Sequence, residues 1–124
     1  SKLFLKTAIP DLYMNQSIHK TDIDEHIEIA SASDVSQLLQ YYQAMMQRPD
    51  RSDVLRETNI PVLFVCGIHD KAVPISQSLK QTYLAKETYV HILQQSAHMG
   101  MIEEPDLLTD IIQKFIQHTN TSIL

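Results

Sequence analysis

The stretch "IPVLFVC", residues 60–66, constrains the fold more than any other part of the chain. It is a continuous apolar, largely β-branched run bounded by Pro61 and Gly67, which suits a strand buried on both faces, as in a parallel sheet. The next segments keep the same rhythm. The segment "VPISQSLKQTYLA" carries apolar residues at 75, 79 and 83 or 84 and reads as a helix. "TYVHIL" at 88–93 reads as a second buried strand, and "PDLLTDIIQKFIQH" at 105–118 as an amphipathic helix. In that last helix Pro105 takes the first helical position, Asp106 lies in the first turn, and Leu107, Leu108, Ile111, Ile112, Phe115 and Ile116 form one stripe. The order strand, helix, strand, helix implies an α/β layer architecture with parallel strands.

Residues 1–59 differ in character. They are polar to mixed, with short clusters such as "KLFL" and "DLYM" and the charged run "HKTDIDEH". One strong helix is expected at 34–47, where Val35, Leu38, Leu39, Tyr42, Met45 and Met46 recur at helical spacing behind serines able to cap it. A short helix at about 51–57 is plausible, with Ser52 or Asp50 near its start.

Composition removes several classes of function. At 124 residues the chain is at most one ordinary domain, large enough to bury a core. A net charge of −5 with scattered lysines and arginines leaves no basic stripe for phosphates, so neither nucleic acid nor an anionic membrane is an expected partner. No apolar run approaches the ~18 residues of a membrane span. The single cysteine, Cys66, cannot form an internal disulfide and no secretory leader is visible, so the expected compartment is the cytoplasm.

In parallel sheets the loops that leave the carboxyl ends of the strands line the ligand crevice. The first strand is followed by "GIHDKAVP", with Asp70 between Gly67 and Pro74; the second by "QQSAHMG", with His98 in the next loop on the same edge. A carboxylate beside an imidazole fixes the tautomer, orients the ring and stabilises the imidazolium formed when histidine accepts a proton from a nucleophile. These two are the candidate catalytic residues.

Residues 60–118 resemble the carboxyl-terminal part of the α/β-hydrolase fold, on the strength of "PVLFVCGIHDKAVP" and "YVHILQQSAHMGMIEEPDLLTDIIQKFI". The family's glycine, acid and proline match Gly67, Asp70 and Pro74; its histidine, glutamate and proline match His98, Glu104 and Pro105. Where the family often has glycine before the histidine this chain has Ala97, which hints at a less extreme backbone there. The resemblance implies a hydrolase of esters, amides or related carbonyl compounds acting on a small molecule. His98 would be general base and then general acid, Asp70 its orienting carboxylate, with no metal or organic cofactor. Residues 1–59 would correspond, by position and helical character, to a cap or lid segment, and 60–124 to a βαβα part of the core.

The family nucleophile stands on a G-x-S-x-G turn. No such turn exists here, since the only two glycines are Gly67 and Gly100. With the nucleophile and the oxyanion donors missing, the expectation is a carboxyl-terminal piece of a longer hydrolase, inactive alone, beginning at Ser1 rather than at a methionine. Its first strand would have an open edge, to be paired with a missing amino-terminal half or a second copy. The alternative is a non-catalytic interaction module that kept the hydrolase frame.

Other residues carry plainer expectations. His69 points away from the acid and His91 is a packed or edge imidazole within the strand. His19, Asp22, Asp24 and His26 form a solvated cap loop rather than a metal site, for want of ligand spacing. Glu103 and Glu104 cap the last helix, Cys66 is an inert core thiol, and Tyr41, Tyr42, Met45 and Met46 suit either core packing or a pocket lining.

Overall fold

The computed structural model describes residues 2–121; Ser1 and residues 122–124 lie outside the described residues. The element order is α1 (Lys2–Ala8), a 3-10 turn (Pro10–Leu12), α2 (Lys20–Ala32), α3 (Val35–Gln47), α4 (Ser52–Glu57), β1 (Val62–Gly67), α5 (Ile75–Leu79), β2 (Thr88–Leu93), α6 (Gly100–Glu103) and α7 (Pro105–Thr121). The fold is α/β, as the alternation required.

Strands β1 and β2 pair in parallel, with Val62 opposite Thr88 and Gly67 opposite Leu93. Because side chains alternate along a strand, this register puts Leu63, Val65, Tyr89, His91 and Leu93 on one face. Helix α7 covers that face: the Tyr89 and Phe115 rings meet edge to face at 5.4 Å, and Ile111 is buried. Leu93 is the most deeply buried of the strand side chains, at 2% exposure. Leu93→Ala is expected to cost about 2–5 kcal/mol of stability, read as a shift in the urea midpoint at constant m-value.

The strands are less buried than continuous apolar runs suggest. Only Cys66 and Gly67 of β1, and Leu93 of β2, are buried. The sheet among the described residues has two strands, so β1 and β2 each keep one unpaired edge. Apolar side chains that a further strand or helix layer would cover stay half exposed.

A second body of apolar packing lies in the helical segment. Leu5, Ile9, Tyr13 and Ile23 form a buried cluster, with Leu12, Ile27 and Ala30 against it. Met99 and Ile102, from the loop and helix after β2, pack on the same cluster. The helical segment is thereby seated on the loop that carries His98.

Several expectations need correction. The run "HKTDIDEH" is not a loop: from Lys20 onward it is the first half of α2. Ile23, Ile27 and Ala30, spaced for one helical face, supply the buried side, and Lys20 to Asp24 bridges the solvent side at 2.5 Å. The serines do not cap α3; Asp34 does, accepting from the Ser36 N–H at 3.0 Å while the Gln37 side chain returns to the Asp34 N–H. The helix after β1 is only five residues long, and the chain then runs through turns. Thr82 Oγ1 donates to the Leu79 carbonyl at 2.9 Å, competing with helical pairing, and Leu79 and Tyr83 are exposed, so no buried stripe sustains further turns. Helix α1 has no counterpart among the elements expected from the sequence.

Among the described residues no helix is long and apolar enough to cross a membrane.

Candidate active site

The loop after β1 is shaped by its own backbone. Ile68 N–H donates to the Leu93 carbonyl at 3.0 Å, His69 N–H to the Ser96 carbonyl at 3.1 Å, and Asp70 N–H returns to the Gly67 carbonyl at 3.2 Å. The Asp70 side chain then closes the turn, because Oδ1 accepts the N–H groups of Ala72 at 2.8 Å and Val73 at 2.9 Å. One carboxylate oxygen is fully occupied by the loop. The other, Oδ2, is left to face outward from the strand end.

The loop after β2 brings His98 to it. His98 Nδ1 lies 2.9 Å from Asp70 Oδ2, with the Asp70 side chain 11% exposed and the imidazole 40% exposed. The carboxylate is nearly hidden and the ring is not. A carboxylate oxygen beside Nδ1 favours the tautomer with the proton on Nδ1, leaving Nε2 as the acceptor.

Close backbone approach holds the two loops in register. A Cβ built on Gly67 would sit 1.9 Å from the Ala97 carbonyl oxygen, a separation no real atom pair tolerates. Gly67 is needed for space rather than for an unusual backbone, since no described residue has a positive φ. Ala97 sits in that ordinary backbone region too.

Two carboxylates that the sequence assigned to helix capping do something else. Glu104 Oε2 accepts from the Gln95 N–H at 3.0 Å and the Ser96 hydroxyl at 2.6 Å, and Ser96 is fully buried. Glu103 Oε2 accepts from the Ala97 N–H at 2.8 Å, and its Oε1 from the Met14 N–H at 2.5 Å. The short helix α6 separates the loop from α7 and turns both side chains back onto residues 95–97. The spacing of five and six residues from His98 was the only available signal, and it does not distinguish a cap from a return to the loop.

The pair opens on a cavity of about 270 Å³, lined among others by Cys66, Asp70, Ser78, His98 and Met101. Its mixed lining suits a small molecule. A larger cavity of about 600 Å³, between β2 and α7, is lined by Tyr89, His91, Ile111 and Phe115 and does not include the pair.

The remaining candidates separate. His69 is exposed, and His91 is half-buried in β2. His19 Nδ1 pairs with Asp22 Oδ2 at 3.2 Å, whereas His26 Nδ1 shares a hydrogen bond with the Tyr13 hydroxyl at 2.8 Å. Burial raises the Tyr13 pKa above its ordinary value, and the Asp22 and Glu103 carboxylates add to the rise. Among the described residues no three His, Cys, Asp or Glu side chains gather as metal ligands would. Tyr41, Tyr42, Met45 and Met46 of α3 are exposed, with the Tyr42 ring edge to face against Phe4 at 6.5 Å.

A parallel βαβ unit, covered by a final amphipathic helix and topped by helices, is how the carboxyl-terminal part of the α/β-hydrolase fold is built, and the chain has that part of the fold. It superposes on a thermophilic esterase from Thermogutta terrifontis with a TM-score of 0.83 at 18% identity, over 94% of this chain and 44% of that one. It matches the esterase EaEST from Exiguobacterium antarcticum with a TM-score of 0.80 at 14% identity, over 94% of this chain and 42% of the other. Among curated relatives, proline iminopeptidase of Heyndrickxia coagulans is 33% identical over 67 residues, 54% of this chain and 23% of that protein. Protein ABHD8 of Mus musculus is 28% identical over 60 residues, 48% of this chain and 14% of ABHD8. The chain thus spans less than half the length of each of these proteins. No protein-family model matches it.

Proposed function

We propose that this chain supplies the acid and the histidine of a hydrolase catalytic triad, acting on ester, amide or related carbonyl substrates as the carboxyl-terminal part of a longer α/β-hydrolase. The observation that carries this reading is the 2.9 Å contact between Asp70 Oδ2 and His98 Nδ1, with both residues lining the cavity and the imidazole part exposed. The likeness to proteins named as esterases and as an iminopeptidase supports a hydrolase-family function.

In the proposed reaction a nucleophile from the preceding part of the fold attacks the substrate carbonyl carbon and passes its proton to His98 Nε2. Asp70 stabilises the imidazolium so formed. As the tetrahedral intermediate collapses, Nε2 returns that proton to the leaving group, and the acyl group stays on the nucleophile. Water then attacks the acyl carbon, giving its proton to Nε2; the acid product leaves and the proton returns to the nucleophile. The chain's own residues therefore hold and move the proton but do not form the covalent bond.

On this reading residues 1–59 serve as the cap. Their seating on Met99 and Ile102, beside His98, supports that role.

The test is hydrolysis of a short-chain aryl ester. The 124-residue chain alone is expected to show no turnover above buffer, whereas a longer protein containing it turns over and loses that activity on His98→Ala. Unchanged turnover in that variant removes His98 from the mechanism.

The unpaired edge of β1 is proposed as the pairing surface for the preceding part of the fold or, failing that, for a second copy. Size-exclusion chromatography of the chain alone is expected to give a self-associated species, and a stable monomer would count against this.

A further inference from the structure

We infer that Glu103 is a positioning residue that ties the seating of the helical segment to the aim of His98. This rests on the reading of His98 and Asp70 as the reactive pair.

The Glu103 side chain spans the boundary between the two parts, as the exposed Lys71–Asp11 pair also does at 3.7 Å, but Glu103 alone of these two holds the histidine loop. Its two oxygens accept from backbone groups far apart in sequence, the Met14 N–H on one side and the Ala97 N–H on the other. The His98 N–H adds a third link, donating to the Leu12 carbonyl at 2.9 Å. The main chain at 12–14 and at 97–98 is therefore laced together by one carboxylate and one backbone hydrogen bond. Ala97 is 3% exposed, so water offers its N–H little replacement for the Glu103 oxygen.

The clamp acts on His98 through its neighbour. On one side of Ala97 the carbonyl lies against Gly67, and on the other the N–H is held by Glu103. The residue that leads into His98 is held at both its N–H and its carbonyl, and the imidazole inherits its position relative to Asp70. If Met14 lifts away, Oε1 loses its donor and the carboxylate is free to swing, which loosens Ala97. Displacement of the segment at residues 12–14 is thereby transmitted to the imidazole, and a seated segment and an aimed histidine are one state.

Two variants separate this from a general structural role. Glu103→Gln keeps the shape but offers one acceptor oxygen for two N–H donors, its amide nitrogen being a donor itself. Met14→Pro removes the N–H on the far side and leaves both Glu103 oxygens and the Ala97 N–H chemically intact; Tyr13 is already extended, at φ −110° and ψ 140°, the conformation that a following proline requires. The readouts are amide hydrogen exchange and the ¹⁵N signals of the His98 ring in the 124-residue chain, neither of which depends on turnover.

The expected result is at least tenfold faster exchange at Ala97 and His98 in both variants, with loss of the Nδ1-protonated signature of the His98 ring and unchanged exchange at Phe64 and His91, whose N–H groups face the partner strand. Met14→Pro with His98 exchange and ring signals at wild-type values overturns the coupling, even where Glu103→Gln disturbs the loop. Uniform acceleration at every amide in both variants also overturns it, since that is the mark of lost global stability. Either negative result leaves the assignment of the Asp70–His98 pair standing.

Discussion

If the proposed triad operates, Asp70→Asn lowers kcat of a longer hydrolase containing this chain by about 10⁴ with KM little changed, the size of effect known when the carboxylate of a Ser-His-Asp triad becomes an amide. The structure gives the reason. Oδ1 is committed to the Ala72 and Val73 N–H groups, so the oxygen of the asparagine side chain must stay there and its NH₂ must face His98. An NH₂ group donates to Nδ1 and thereby forces the ring proton onto Nε2. The imidazole is then unable to accept the nucleophile's proton. The ¹⁵N spectrum of the ring should show the Nε2-protonated tautomer with the fold intact. A full rate in the variant, or an unchanged tautomer, would defeat the assigned role.

Gly67→Ala is the second large effect, expected to cost about 3 kcal/mol or more of stability because the added methyl lands within 1.9 Å of the Ala97 carbonyl oxygen and 2.8 Å of the Ser96 carbonyl oxygen. Both obstacles are backbone atoms. Their retreat would strain the His69 to Ser96 hydrogen bond and shift the loop that leads into His98. Urea unfolding followed by circular dichroism measures the loss. A change below about 1 kcal/mol would mean that the two loops are not in the close contact described. Gly100→Ala makes a useful contrast, since its new methyl meets the Cδ1 end of Leu93, a side-chain atom able to move.

The parallel strands and the last helix were legible because their signals are local: β-branched runs between Pro61 and Gly67, and a stripe opened by Pro105. Asp70 and His98 were legible as a pair for a topological reason, that successive parallel strands end on the same edge. The first half of α2 was hidden because Ile23 and Ile27 are isolated apolar residues in a charged run, and their worth depends on Leu5, Ile9 and Tyr13 from outside α2. The apolar run of α5 misled in the opposite direction. Its spacing suits a helix, but no partner surface buries Leu79 or Tyr83.

Glu103 and Glu104 mark the boundary of what a linear reading reaches. Their position before Pro105 is equally compatible with capping α7 or with returning to the loop at 95–97, and only the turn made by α6 decides between them.

From residue 60 onward the sequence by itself determined the order of the strands and helices, and hence that a carboxylate and an imidazole end on one edge of a parallel sheet, because backbone alternation and crossover geometry act over short stretches. Only the tertiary structure decided that the two meet at 2.9 Å, that Gly67 is required by the Ala97 carbonyl, and that Glu103 joins Met14 to the histidine loop. Hydrogen bonds act over about 3 Å and reward close placement of groups distant in the chain. No pattern of neighbouring residues encodes that placement.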